Sequence, residues 1–206
     1  MAEDKINFFA DINTTRGKII SVACEILKEG NYQSMTTSEI AKAADISEGT
    51  IYRYFSSKKE ILLTVLDELN NYFIKTFFAG IDNNKTHNEK LNIIGQNFFI
   101  HKDELASLYS IMFRVFSEIS DLDVKERFKQ IYEKILKQIT ILLFGNDLDQ
   151  NLQSDFLMLS TYFLWGAGEL LWKLDIVNDG NILNEKLIHR MLDIISKMID
   201  FEKDRN

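Results

Sequence analysis

Apolar residues recur at three- and four-residue spacing along most of the chain, and this pattern predicts helices throughout. The first predicted helix begins at Thr14 or Thr15 and runs to about Lys28. A longer apolar pattern from Lys58 to about Ala79 gives about six turns of helix. Five further helices are expected at about 86–101, 103–117, 123–144, 154–174 and 184–201, separated by short polar breaks. With the two short helices described next, the sequence predicts an all-α protein of about nine helices.

The stretch from Thr36 to Leu63 holds two short predicted helices joined by a tight turn, followed at once by the long helix. Thr36 and Glu39 have the spacing of a capping box, so a helix is expected to begin there. The turn contains Asp45, which tolerates a left-handed backbone. Ser47 then provides a good N-cap for the second short helix. The arrangement predicts a helix-turn-helix.

The second short helix, residues 47–55, is expected to turn Ile51 and Phe55 inward and its polar and phenolic side chains outward. Such groups can donate hydrogen bonds to phosphates or to base edges. We expect base edges near Glu48, Gly49, Thr50 and Arg53, phosphates near Thr37, Ser38, Tyr52, Tyr54 and Lys58, and further DNA contacts at the caps Thr36 and Ser47. Arg53 is the strongest candidate for sequence readout, because an arginine can hold a guanine through O6 and N7.

Over about residues 14–65 the sequence resembles the tetracycline-repressor (TetR) family of bacterial transcriptional regulators. The matching elements are Ile40-Ala41, Ala43-Ala44, Asp45-Ile46-Ser47, Gly49-Thr50-Ile51-Tyr52, Tyr54-Phe55, Lys58, Glu60 and Leu62. The family usually has Gly where this chain has Asp45, a departure expected to cost little stability and to leave the fold unchanged.

The resemblance implies two domains and a regulatory function. Residues 1–57 would form a three-helix DNA-binding domain, and residues 58–206 a larger helical domain for effector binding and dimerisation. The implied protein is a homodimeric cytoplasmic repressor that binds double-stranded operator DNA and is released by a small hydrophobic effector. The alternative is a helical effector-binding or scaffold protein of the same fold that does not read DNA. An enzyme is not expected, since the sequence has no phosphate-cradling glycine loop, nucleophile elbow or metal-binding His–Glu helix.

Numerous aromatic residues in the carboxyl-terminal part allow two interpretations. They can fill a helical core, or some can line a cavity for an apolar molecule that is either flat or acyl-like. The candidate pocket residues are Phe98, Phe99, Tyr109, Phe113, Phe116, Tyr132, Tyr162, Trp165, Glu169 and Trp172. Glu169 is either a counter-ion for a cationic effector or the partner of Lys173 at i+4.

The last two predicted helices have the character of a dimer interface. Gly166, Ala167 and Gly168 remove side-chain bulk in mid-helix, which favours the close approach of another backbone. A long apolar face follows, on which Leu187, Met191 and Ile195 are the predicted contacts.

The formal net charge of −7 is unfavourable for a nucleic-acid binder. Residues 1–60 carry 8 Lys/Arg and 9 Asp/Glu, so most of the excess acidity lies beyond them. Docking would depend on a local face bearing Arg53, Lys58, Lys59 and Lys42. The single cysteine, Cys24, is expected to be a small buried residue, and no cofactor, metal site or membrane span is predicted.

Overall fold

The computed structural model describes residues 13–82, 84–144 and 184–203, with single positions between the last two ranges at 166, 170, 173, 174, 177, 178 and 182. Across these residues the chain is helical and contains no strand, as predicted. The eight helices are α1 (Thr15–Glu29), α2 (Thr37–Ala43), α3 (Glu48–Tyr52), α4 (Lys58–Phe77), α5 (His87–Ile100), α6 (Lys102–Phe116), α7 (Leu122–Phe144) and α8 (Glu185–Lys203). Most of the helix predicted at 154–174 lies outside the described residues.

Side-chain caps fix where several helices begin. The Thr14 hydroxyl accepts from the Gly17 N–H at the start of α1. Capping boxes open α2 at Thr36 and α5 at Thr86, each with a glutamate three residues later. No helix in the described part of the chain is long and apolar enough to cross a bilayer.

The first three helices share a core that closes the helix-turn-helix. Ile20 and Leu27 of α1, Ile40 of α2 and Ile51 of α3 are all buried, and α2 packs against both α1 and α3. At the turn Asp45 has a φ of 55°, which confirms the expected left-handed backbone.

The described residues divide into two compact units. The first contains the residues up to Lys75 together with Asp103–Ile131, and the second contains Thr76–Lys102 with those from Tyr132 onward. The helix-turn-helix therefore belongs to a larger contact unit than residues 1–57. The predicted boundary after residue 57 separates a DNA-binding part from an effector-binding and dimerisation part, and this division of roles stays a prediction.

Within the first unit, arginines join distant segments. Arg114 on α6 donates from Nη1 to the Glu29 and Gly30 carbonyls at 3.2 and 2.7 Å, so it satisfies carbonyls at the end of α1. Arg127 on α7 pairs with Asp67 on α4. These contacts attach α6 and the first half of α7 to the helices that carry the helix-turn-helix.

Within the second unit, α5 packs against α8 through a glycine. A Cβ at Gly95 would lie 2.3 Å from Leu192 Cδ1, so a side chain there would force Leu192 to move. Asn97 on α5 donates from Nδ2 to the Phe77 and Ala79 carbonyls at 3.1 and 3.0 Å, and so satisfies carbonyls at the end of α4.

Candidate nucleic-acid interface

Helix α3 is held on the core by one face and capped at its start. Ile51 is fully buried and Phe55 is 2% exposed, so they anchor the segment as predicted. Ser47 is the N-cap, and its Oγ accepts from the Thr50 N–H and lies 2.8 Å from the Thr50 Oγ1. Thr50 is half-buried, and its hydroxyl forms a hydrogen bond with the Ser47 hydroxyl.

The opposite face of α3 and the residues just after it are open to solvent. Tyr52 is 56% exposed and Tyr54 is 42% exposed, although both are large hydrophobic side chains. Arg53 is exposed, and among the described residues its guanidinium forms no ion pair or hydrogen bond. A free guanidinium between two exposed phenols can approach a base edge without breaking an internal contact.

Glu48, the first residue of α3, is tied to α2. Its Oε1 accepts a hydrogen bond from the Thr37 Oγ1 at 2.5 Å. The same Thr37 oxygen lies 3.4 Å from the Tyr52 hydroxyl. Three residues expected to contact DNA therefore form a connected polar group spanning the two helices.

The remaining small residues in the predicted DNA-contacting set lie on the surface. Thr36, Ser38, Ser47 and Gly49 are all exposed. The Thr36 hydroxyl both accepts from the Glu39 N–H and donates to the Glu39 carboxylate, so its first role is to begin α2.

The two lysines that open α4, which were expected on a positive face, both make contacts within the protein. Lys58 is half-buried, with its Nζ 4.1 Å from the centroid of the Tyr32 ring and 3.5 Å from the Gln33 carbonyl oxygen. Burial is the main cause that lowers the pKa of Lys58. To reach a phosphate, its ammonium would have to leave the Tyr32 ring.

Lys59 is paired inside the first unit. Its Nζ lies 2.5 Å from Asp123 Oδ2 and 3.3 Å from Asp121 Oδ2, and these hydrogen bonds raise the pKa of Lys59. The sequence could not show this pairing, because the partners lie more than sixty residues away along the chain, and the expected place of Lys59 on a docking face stays a prediction. Between Thr36 and Lys59, the exposed cations that have no partner among the described residues are Arg53 and Lys42.

The candidate pocket aromatics fall into both compact units. Tyr109, Phe113 and Phe116 belong to the first unit, and Phe98, Phe99 and Tyr132 belong to the second. Phe113 is 60% exposed, Phe116 45% and Phe99 39%, whereas the other three are half-buried. Tyr162, Trp165, Glu169 and Trp172 lie outside the described residues, and the pocket as a whole stays a prediction.

Sequence reasoning missed Asn70 on α4. This residue is only 6% exposed, and its Oδ1 has no hydrogen-bond partner in the described part of the chain. The helical period could have revealed this residue, because Asn70 lies four residues after Leu66, on the apolar side of the helix. A buried amide without partners is costly unless a ligand or water satisfies it.

The predicted dimer contacts are only partly described. Leu187 and Met191 are half-buried, and Ile194, at the next position of the same stripe, is 57% exposed. Gly166 is exposed, and no atom of the described residues lies within 4 Å of the place its Cβ would take. Ala167, Gly168 and the side chain of Ile195 lie outside the described part.

Cys24 is buried, as predicted. Burial is the main cause that raises the pKa of its thiol to about 12, so the thiolate is scarce at neutral pH. Among the described residues, no three His, Cys, Asp or Glu side chains are grouped so that they could hold a metal ion.

Comparison with known sequences places these features in a family. Residues 19–65 match the sequence model of the bacterial regulatory proteins of the tetR family. The chain is 35% identical over 82 residues to the fatty acid metabolism regulator protein of Bacillus subtilis, which covers 40% of this chain and 42% of that protein. It is 28% identical over 167 residues to the transcriptional repressor KstR2 of Mycobacterium tuberculosis, which covers 73% and 80% of the two chains. The chain matches less than half the length of the first curated relatives: 42% of the fatty acid metabolism regulator and 32% of a second regulator from Bacillus subtilis.

Comparison with solved structures shows the same fold over most of the chain. The regulator FadR from Bacillus subtilis, solved in complex with stearoyl-CoA, matches with a TM-score of 0.62 and 23% identity over 86% of this chain and 95% of that one. A regulator from a Rhodococcus species matches with a TM-score of 0.69 and 16% identity over 90% and 96%. With the helix-turn-helix described above, these comparisons show that residues 19–65 match the tetR family of bacterial regulatory proteins, and that most of the chain has the fold of solved transcriptional regulators.

Proposed function

We propose that this protein is a sequence-specific DNA-binding transcriptional regulator, acting as a repressor that a hydrophobic small molecule releases from its operator. The observation that carries the proposal is the geometry of α3. Its inner face is buried through Ile51, while Tyr52 and the unpaired Arg53 face solvent at the end of a capped, five-residue helix. A short helix with this division of faces suits the major groove.

The proposed protein acts as a cytoplasmic homodimer. Pairing through α8 would cover the stripe that contains Leu187, Met191 and Ile194, and would duplicate the recognition helix. Two recognition helices about 34 Å apart can enter successive major grooves on one side of the duplex. Each half-site then strengthens the binding of the other, since the second contact is intramolecular.

The proposed effector is apolar and acyl-like. Two observations support this class: the abundance of aromatic residues in the carboxyl-terminal part, and the structural likeness to a regulator that was solved with stearoyl-CoA. Effector binding would change the separation between the two recognition helices, and a shift of a few ångströms would prevent both half-sites from docking together.

A scaffold protein without DNA readout is the second candidate, favoured by the net charge of −7 and by the pairing of Lys59 with two aspartates. A titration of random genomic DNA at low salt separates the two. A DNA reader retains measurable affinity that weakens as salt is raised, whereas a scaffold protein shows none.

The recognition surface is tested by Arg53 variants. Arg53→Ala should weaken operator binding by about 1–3 kcal/mol and flatten the preference at one base position, because a bidentate guanine contact is lost. Arg53→Lys is the matched control, since it keeps the charge but not the fork of donors. Binding is followed by fluorescence anisotropy on a selected operator and on a scrambled duplex. The proposal is overturned if Arg53→Ala binds both duplexes as the unmodified protein does.

The effector class is tested separately with stearoyl-CoA as the probe. We expect it to raise the melting temperature and release the protein from its operator, while coenzyme A alone does neither. Stabilisation by small charged metabolites and none by the acyl thioester would contradict the proposed class.

A further inference from the structure

The contact between Glu48 and Thr37 suggests how part of the operator is read. The Thr37 hydroxyl has one hydrogen, and it is given to the Glu48 Oε1 at 2.5 Å. The Tyr52 hydroxyl, 3.4 Å from the same Thr37 oxygen, must therefore be the donor in that weaker contact. A directed chain runs from Tyr52 through Thr37 to Glu48.

This chain leaves one carboxylate oxygen available. Glu48 is exposed, and its Oε2 accepts no hydrogen bond from any described residue. Since the Thr37 hydroxyl hydrogen is already used, Thr37 could donate to a phosphate only through its backbone N–H. Thr37 thus acts mainly on Glu48, and the oriented Oε2 is left as an acceptor on the outer surface.

Glu48 is also placed where bases are read. It is the first residue of α3, and the first residues of a recognition helix are those that contact base edges. A carboxylate there gains nothing from phosphates, which repel it, so it contributes only if it meets a donor.

The major groove offers one base that suits a carboxylate well. Guanine presents two acceptors, thymine an acceptor and a methyl group, and adenine an acceptor beside its amino donor. Cytosine presents its N4 amino group with no acceptor next to it. A fixed carboxylate therefore favours cytosine over the other three bases.

We propose that Glu48 is a specificity-determining residue that accepts a hydrogen bond from a cytosine N4 amino group in each half-site, with Thr37 as its positioning residue. The proposal rests on the proposed function and adds to it the identity of one operator base. It predicts an acidic residue as a base reader beside Arg53, so the half-site contains a cytosine in addition to the guanine expected for the arginine.

The test is selection of bound sequences from a random duplex pool, carried out in parallel with the full-length protein and its variants. The unmodified protein should select a half-site with a strong cytosine at one position. Glu48→Gln is nearly isosteric and presents the donor and acceptor that suit adenine, so the preference there should move from cytosine to adenine. Glu48→Ala should lose the preference at that position alone, by roughly 5- to 150-fold.

Thr37 variants separate positioning from simple support of the fold. Thr37→Val keeps the shape but removes the hydroxyl and should weaken the cytosine preference, whereas Thr37→Ser should restore it. Circular dichroism melting of each variant checks that the fold is retained, and Glu48→Gln remains informative if Glu48→Ala does not fold.

The outcomes distinguish this inference from the function on which it rests. If the unmodified protein selects a sequence that depends on Arg53, but both Glu48 variants select the same half-site, Glu48 does not read a base and only this inference falls. If the unmodified protein selects no sequence at all, the proposed function itself fails.

Discussion

Asn70 is a buried polar residue whose amide oxygen has no hydrogen-bond partner among the described residues. Its carboxamide is 6% exposed on α4, where the neighbouring buried positions are Leu66, Leu69 and Phe73. An amide oxygen kept from water without a hydrogen bond destabilises the folded state. A ligand with a hydrogen-bonding group among its apolar atoms would satisfy it, which makes Asn70 a candidate for the effector site.

Replacing this amide should stabilise the empty protein. Asn70→Leu has a similar volume and removes the unsatisfied group, so the free energy of unfolding should rise by about 1 kcal/mol, or about 2–4 °C in melting temperature. Asn70→Ala is the control, because it also removes the amide but leaves a cavity and should destabilise. Differential scanning calorimetry measures both. A lower melting temperature for Asn70→Leu would mean that the amide already has a partner.

Sequence predicts single residues well where a local rule decides. The left-handed backbone at Asp45 and the burial of Ile51 both followed from residue type and spacing. The state of Lys58 and Lys59 could not be predicted, because Tyr32, Asp121 and Asp123 reach them only through the tertiary fold.

At the level of the helices, two carboxylates that bond to residues at helix starts make part of the protein's stability depend on pH. The Glu89 carboxylate accepts from the backbone N–H of Thr86 and from its hydroxyl, and these bonds lower the pKa of Glu89. A bond from the Ser56 hydroxyl and one from its N–H similarly lower the pKa of Glu60. For a pKa that is lower in the folded state, the stabilisation is present above the unfolded pKa and is lost as the pH falls through the folded value.

Removing one of these caps should therefore weaken the protein mainly at neutral pH. Thr86→Ala should lower the free energy of unfolding by about 1 kcal/mol at neutral pH, because the α5 cap is lost. The difference from the unmodified protein should shrink below about pH 5, where carboxylates become protonated. Urea titrations at several pH values measure it, with Thr86→Ser as the control that keeps the hydroxyl. An equal loss at every pH would show that the Glu89 carboxylate is not involved.

The contact between Arg114 on α6 and the end of α1 leads to a further prediction. Since Arg114 satisfies two carbonyls at the end of α1, Arg114→Ala should fray that end and cost about 1 kcal/mol. Amide hydrogen exchange in residues 26–34 should speed up more than exchange in α3. Arg114→Lys, which keeps the charge but offers a single donor group, should recover part of the protection. Unchanged exchange in this segment would show that Arg114 does not secure α1.

Periodicity was sufficient to predict the described helices, since caps and apolar spacing are local. Most ends differ by one or two residues from the expected ones, but α3 ends at Tyr52, three residues before the predicted end. Periodicity could not predict which elements pack together. Gly95, which allows Leu192 on α8 to approach α5, carries no sequence signal beyond an isolated glycine in a helical pattern. The candidate pocket was assigned from aromatic content alone, and the exposure of Phe113 and Phe116 depends on the tertiary arrangement of the helices.

At the level of the whole molecule, the proposed operator binding requires two copies of the chain. One recognition helix offers few contacts, and a chain with a net charge of −7 has little general attraction for DNA. In the proposed dimer, two helices on a symmetric site gain affinity from their joint attachment, so operator specificity would depend on dimerisation as well as on α3. The exposed Ile194 on α8 lies three residues after Met191, one of the predicted dimer contacts.

The most direct test of this account is recovery of genomic fragments that the purified full-length protein binds at physiological salt, followed by measurement of the number of protomers per site. The account predicts one enriched motif with two-fold symmetry, half-sites one helical turn or a multiple of it apart, occupancy by protomers in pairs, and loss of the enrichment with Arg53→Ala. Fragments without a common motif, or a site filled by a single protomer, would contradict it.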